Sequence, residues 1–107
     1  MKENYLSKIY DVCSMTDYQE ESIISRTLID KKIGTVTFFA FDKGQSLSTH
    51  TAPFDAMVQV IDGEVKITIE NDIYNLKTGQ MIVMPAGKPH SVNAKTKFKM
   101  ILIMIKE

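Results

Sequence analysis

One cysteine, Cys13, in a chain of 107 residues can close no internal disulfide and can build no thiolate metal cage by itself. That usage suits a reducing compartment, and a cytoplasmic protein is expected. An excess of charge of one sign is also missing, because thirteen Lys and Arg stand against thirteen Asp and Glu. Without a basic stripe to track phosphates or an anionic bilayer, neither nucleic acid nor membrane is expected as a partner. Long apolar runs are lacking too. The longest, Met100 to Ile105, has six residues, whereas a membrane span needs about 18 or more, and Met1-Lys2-Glu3-Asn4 has none of the apolar stretch of a signal peptide. No internal repeat, low-complexity tract or phosphate-cradling glycine loop is present. The length allows one domain, and 44% hydrophobic against 24% charged residues is the balance of a globular core.

What is present is a succession of short β-branched and aromatic runs, punctuated by Gly, Asp and Asn every eight to twelve residues or so, the pattern of an all-β sandwich or barrel. Strands are expected at Ile23–Ile29, Thr35–Phe41, Ala56–Ile61, Glu64–Glu70, Ile73–Leu76, Met81–Met84, His90–Val92 and Phe98–Ile105. Residues 1–21 form an N-terminal arm and 22–107 the barrel. Within the arm, Leu6, Ile9, Tyr10 and Cys13 fall at helical spacing, while residues 8–12 also read as a strand. Asp62-Gly63 is expected to turn a type I′ hairpin. In the arm that follows, Val65, Ile67 and Ile69 alternate with Glu64, Lys66 and Thr68, so one face is buried and the other wet. Thr35–Phe41 and Phe98–Ile105 are instead apolar on both faces. Cover from a second copy is expected, with the N-terminal arm as the alternative cover.

The chain has two histidines, His50 and His90, and each sits in a patterned block. Gly44 precedes His50 by five intervening residues, and Gly63 closes that segment. Gly79 precedes Pro85 by five, followed by Pro85-Ala86-Gly87-Lys88-Pro89-His90. These blocks, Gly44 to Gly63 and Gly79 to Ala94, resemble the paired motifs of the cupin superfamily in every spacing, and Glu64 to Thr78 resembles the hairpin between them. The resemblance implies a small double-stranded β-helix, or jelly-roll, barrel of about eight strands, commonly a homodimer. It also implies a metal held by two histidines and a glutamate of the first motif and the histidine of the second. His50 and His90 match two of those ligands. Ala52 stands at the second histidine position, Ala56 at the glutamate and Ala94 at the closing asparagine.

Strand parity puts His50, Ala52, Phe54, Ala56 and Val58 on one face and Asp55 on the other, unless a bulge near Pro53 shifts the register. Asn93 likewise falls opposite His90, Val92 and Ala94. Two imidazoles alone are short of the three protein ligands that catalytic zinc and non-haem iron sites use. These residues assure no cofactor, and the metal reading is a weakly held divalent transition metal on His50 and His90. Water, substrate or sulfur from Met57, Met81, Met84, Met100 or Met104 would complete that site. The leading expectation is a pocket of His50, Ala52, Phe54, Ala56, Val58, Met84, His90 and Val92 that binds a small, partly apolar molecule, since such pockets are mostly apolar with a few placed polar groups. A metal-dependent dioxygenase or isomerase, acid–base catalysis by the histidine pair, and a purely structural cupin are the alternatives. Cys13 lies outside both motifs with no histidine near it in sequence, which argues against a nucleophile.

Overall fold

A computed structural model describes residues 5–106. Nine strands carry the fold: β1 (Ile23–Lys31), β2 (Gly34–Phe41), β3 (Ser46–His50), β4 (Asp55–Asp62), β5 (Glu64–Ile69), β6 (Asp72–Lys77), β7 (Met81–Met84), β8 (His90–Ala94) and β9 (Phe98–Ile105). They form a five-stranded sheet in the order β1-β2-β9-β4-β7 and a four-stranded sheet in the order β3-β8-β5-β6. Every pairing is antiparallel. The expected strands are all present. The additional one, β3, has a single apolar residue, Leu47, among Ser46, Ser48, Thr49 and His50, too thin a pattern to announce a strand. It forms because β8 offers it an edge.

The two inner faces build the core by simple alternation. Val58 and Val60 of β4, Val65 and Ile67 of β5, Phe41 of β2 and Phe98 of β9 are fully buried. The Phe41 and Phe98 rings pack with centroids 4.6 Å apart, within the range where aromatic pairs attract beyond their burial.

Asp62-Gly63 does not turn a hairpin. β4 pairs with β7 and β9, and β5 with β6 and β8, so the chain here crosses from one sheet to the other. Gly63 takes φ +84° but Asp62 stays out of the left-handed region, whereas a type I′ turn needs positive φ at both. The backbone groups a hairpin would have paired are held by side chains instead. The Gly63 N–H donates to Thr78 Oγ1 at 2.9 Å and the Glu64 N–H to Thr96 Oγ1 at 3.0 Å.

Among the described residues of the N-terminal segment, residues 6–22 form no strand and one turn of 3₁₀ helix, at Val12–Ser14. It lies on the outer face of the five-stranded sheet. Lys99, which alternates with the inward Phe98 and Met100, donates from Nζ to the Cys13 carbonyl beneath the Tyr18 ring, 4.9 Å from its centroid. Cys13 Sγ reaches the Ile61 carbonyl at 3.4 Å, and the Tyr18 hydroxyl donates to Asp62 Oδ2 at 2.5 Å. Burial, then the Asp62 hydrogen bond, raises the Tyr18 pKa. The arm therefore covers one end of the doubly apolar strands, with Met15 and Thr16 buried. Towards the other end Ile29, Ile33, Val83 and Ile105 stay half exposed or more. No helix among the described residues is long and apolar enough to cross a membrane.

Candidate functional site

His50 reaches the inner face through a bulge. Along the β3–β8 ladder Leu47 pairs with Val92 and His50 with His90, three steps on β3 against two on β8. Leu47 packs against the core, so regular alternation would aim Thr49 inward and His50 away. One extra residue reverses that parity, a usual role of bulges beside functional sites. The irregularity falls within β3, between Leu47 and His50, ahead of the Pro53 position where a register shift would have brought Asp55 inward. His90 begins β8 directly after the Pro85–Pro89 loop and alternates with the buried Val92 and Ala94. The result is two imidazoles edge to face, centroids 4.4 Å apart at 69°, with His90 5% exposed and His50 open to solvent.

Each ring is held by its own backbone. Nδ1 of His50 lies 2.8 Å from the Ser48 carbonyl oxygen, and Nδ1 of His90 lies 3.1 Å from that of Lys88. A carbonyl only accepts, so each Nδ1 carries the hydrogen and each neutral ring leaves Nε2 as a bare lone pair. Among the described residues neither Nε2 has a hydrogen-bond partner, and the one polar side-chain atom sealed from solvent without a partner is the Thr16 hydroxyl. Two Nε2 lone pairs without a protein partner thus belong to rings packed 4.4 Å apart.

Burial lowers the His90 pKa; the Lys88 carbonyl opposes this, and the neighbouring His50 adds a smaller push downward. Folding therefore withholds a proton that the unfolded chain takes up below its ordinary value of 6.5. Above pH 6.5 the group leaves stability untouched, and as pH falls from there towards the lowered native value stability is lost. Urea unfolding at pH 7.5, 6.5 and 5.5 should show that decline, and His90→Gln should flatten it. An unchanged slope in the variant would contradict the assignment. Asp42, whose carboxylate is stabilised by N–H groups of Glu21 and Lys43, titrates low and acts only below about pH 4.

The other expected site residues separate by depth. Ala56, 3% exposed, pairs with Met84 on β7 and with Met104 on β9, so a methionine stands on each side of it. Ala52 and Phe54 lie in the β3–β4 loop, and the Ala52 carbonyl accepts the Gly87 N–H at 2.8 Å, which ties this loop to the one before His90. Val58 and Val92 lie two residues further in and belong to the packed core. Asp55 is exposed and its Oδ1 accepts the Ala86 N–H at 2.8 Å, so it fastens the loop that leads to His90. Met104 is the neighbour of Ala56 that composition understated. Its register beside Ala56 is the signal, and it is legible only once the β4–β9 pairing is known.

The family model of the cupin domain matches residues 37–106. The chain belongs to the cupin family. A conserved protein of unknown function from Streptococcus pyogenes is 38% identical, with 94% of this chain and 89% of that one aligned at a TM-score of 0.91. A cupin 2 conserved barrel domain protein from Leptotrichia buccalis is 41% identical at a TM-score of 0.87, covering 91% of this chain but 47% of that one, so this cupin spans about half its length. A cupin superfamily protein from Desulfitobacterium hafniense shares the fold at 24% identity, with 94% and 93% covered and a TM-score of 0.90. No curated protein matches the chain.

The metal set that the family implies does not fit this cupin. Ala52 and Ala56 remove an imidazole and a carboxylate, Asp55 points elsewhere, and among the described residues no three His, Cys, Asp or Glu side chains are grouped to hold a metal ion. An open groove between the edge strands β6 and β7, lined by Ile73, Tyr74, Leu76, Met81 and Ile82, contains no histidine.

Proposed function

We propose that this cupin is a binding module that holds a small ligand at its histidine end, sensing or sequestering the ligand rather than transforming it. The observation that carries this reading is the pair of unpartnered Nε2 atoms, each fixed by a Nδ1–H bond to its own backbone. The ligand meets two electron-pair donors on one side and Ala56, Met84 and Met104 on the other. It must therefore bring hydrogen-bond donors or an electron-pair-accepting centre to the histidines. A metal-dependent dioxygenase or isomerase is disfavoured by the alanines at positions 52 and 56, and a purely structural role by lone pairs left open where a packed interior would have satisfied them.

Side-chain nitrogen NMR on protein without a polyhistidine tag tests this. The probes are benzamidine, catechol, zinc(II) and copper(I), added separately. At least one should move the His50 and His90 signals together. The His50→Ala, His90→Ala double variant should bind that probe at least about tenfold more weakly, the scale of losing charge-assisted or ligand bonds, while keeping its melting temperature. Binding that survives in the double variant, or a panel in which no probe moves either histidine, would overturn the reading.

A further inference from the structure

Of the four strands at the sheet edges, β6 has the least to keep a further strand away. Short length, bulges and broken register protect an edge. β7 has four residues, and the pairings of β1 and β3 are each interrupted by a register shift. β6 runs six residues, Asp72 to Lys77, in unbroken register with β5, and among the described residues no strand lies on its other side. All of them except Leu76 are exposed. Hydrogen bonds show which backbone groups are open. Gln80 Oε1 accepts the Lys77 N–H at 3.0 Å, and the Gln80 N–H donates to the Lys77 carbonyl at 3.0 Å, so Lys77 turns both groups away from β5. In an antiparallel ladder the N–H and C=O of one residue point to the same side, and successive residues alternate. Tyr74 and Leu76 therefore bond to β5, while Ile73 and Asn75 present two N–H and two C=O groups at the open edge. The same edge borders the groove in which Tyr74 and Leu76 face Met81 and Ile82 of β7.

The two ends of β6 differ in charge. Asp72 stands at one, and at the other Lys77 and Lys95 outnumber Glu64; among the described residues neither Asp72 nor Lys77 is in an ion pair. A second copy's β6 cannot match these charges, because residues five apart in a strand project from opposite faces and a copy joined edge to edge keeps its faces aligned. We propose that the β6 edge binds an extended peptide of another protein as an antiparallel fifth strand of the four-stranded sheet. The peptide carries an acidic residue at the Lys77 end, apolar residues opposite Leu76 and Tyr74, and a basic residue opposite Asp72. Backbone bonds give such strand addition its affinity, and pockets for alternate side chains give its selectivity. Opposite charges across the ladder add to both. The groove contains neither histidine, so this inference stands apart from ligand binding at His50 and His90.

The probe is the peptide acetyl-Asp-Val-Thr-Val-Thr-Lys-amide, titrated into nitrogen-15-labelled protein and followed by NMR of the backbone amides. Half-saturation is expected at or below about 1 mM. At saturation the Ile73 and Asn75 amides should exchange with solvent at least about tenfold more slowly, while those of Tyr74 and Leu76, already bonded to β5, change little. The same peptide N-methylated at both threonines, which lie opposite Asn75 and Ile73, should not bind. Exchanging its aspartate and lysine should weaken binding by about threefold or more, and Lys77→Glu, at an exposed position, should reduce that preference. No change at Ile73 or Asn75 with millimolar peptide overturns the inference, as does equal binding of the methylated peptide, a preference for the exchanged peptide, or a preference that Lys77→Glu leaves untouched. Shifts at those amides that grow with protein concentration in the absence of peptide would make a second copy the occupant and overturn it as well.

Discussion

Gly63→Ala should destabilise the protein by at least about 3 kcal/mol, a large share of the 5–15 kcal/mol that holds a typical domain together. A Cβ at this position would lie 2.1 Å from the Lys97 carbonyl oxygen and 2.7 Å from the Phe98 Cβ, and both are backbone-borne atoms that cannot swing aside. The φ of +84° adds about 1–2 kcal/mol for any residue with a side chain. Gly79→Ala separates the two costs, because its φ is +91° and no atom lies within 4 Å of the new Cβ. That variant should lose only the left-handed penalty. Urea denaturation of both variants against the native protein checks the pair, and equal losses would mean that the crossing between the sheets does not depend on the close approach at Gly63.

Phe98→Ala should cost about 3–5 kcal/mol, the range for truncating a fully buried phenylalanine. Phe98 is 0% exposed, stacks on Phe41, and starts β9, the strand between β2 and β4 at the centre of the five-stranded sheet. Its loss opens a cavity that the ladders on both sides keep from collapsing. Phe39, only partly buried at the margin of the same cluster, should cost clearly less on truncation. Denaturation midpoints that rank Phe39→Ala at or above Phe98→Ala would place the centre of the core elsewhere.

Much of this architecture can be read from residues alone, for reasons of range. Alternation is local, so Val65, Ile67 and Ile69 announced a one-sided strand, and the glycine and proline spacing around His50 and His90 announced the barrel. Sheet membership is not local. Asp62-Gly63 has the composition of a hairpin turn, and only Thr78, Thr96 and Lys97, distant in sequence, make it a crossing. The bulge that turns His50 inward adds one residue to a polar strand with no pattern to interrupt, so parity counted from the sequence had no sign of it. The pairing of Met84 and Met104 across Ala56 was hidden in the same way, in two separate ladders. The histidine tautomers depend on where the Ser48 and Lys88 carbonyls point, which is a property of the folded backbone.

The tautomers decide the binding account most directly. Nitrogen-15 NMR of the histidine side chains at pH 7.5, with no ligand added, distinguishes a protonated from a bare ring nitrogen. Both His50 and His90 should show Nδ1 carrying the hydrogen and Nε2 bare. A hydrogen on Nε2 of either ring, or rapid averaging between tautomers, would contradict the paired lone pairs on which the site is built.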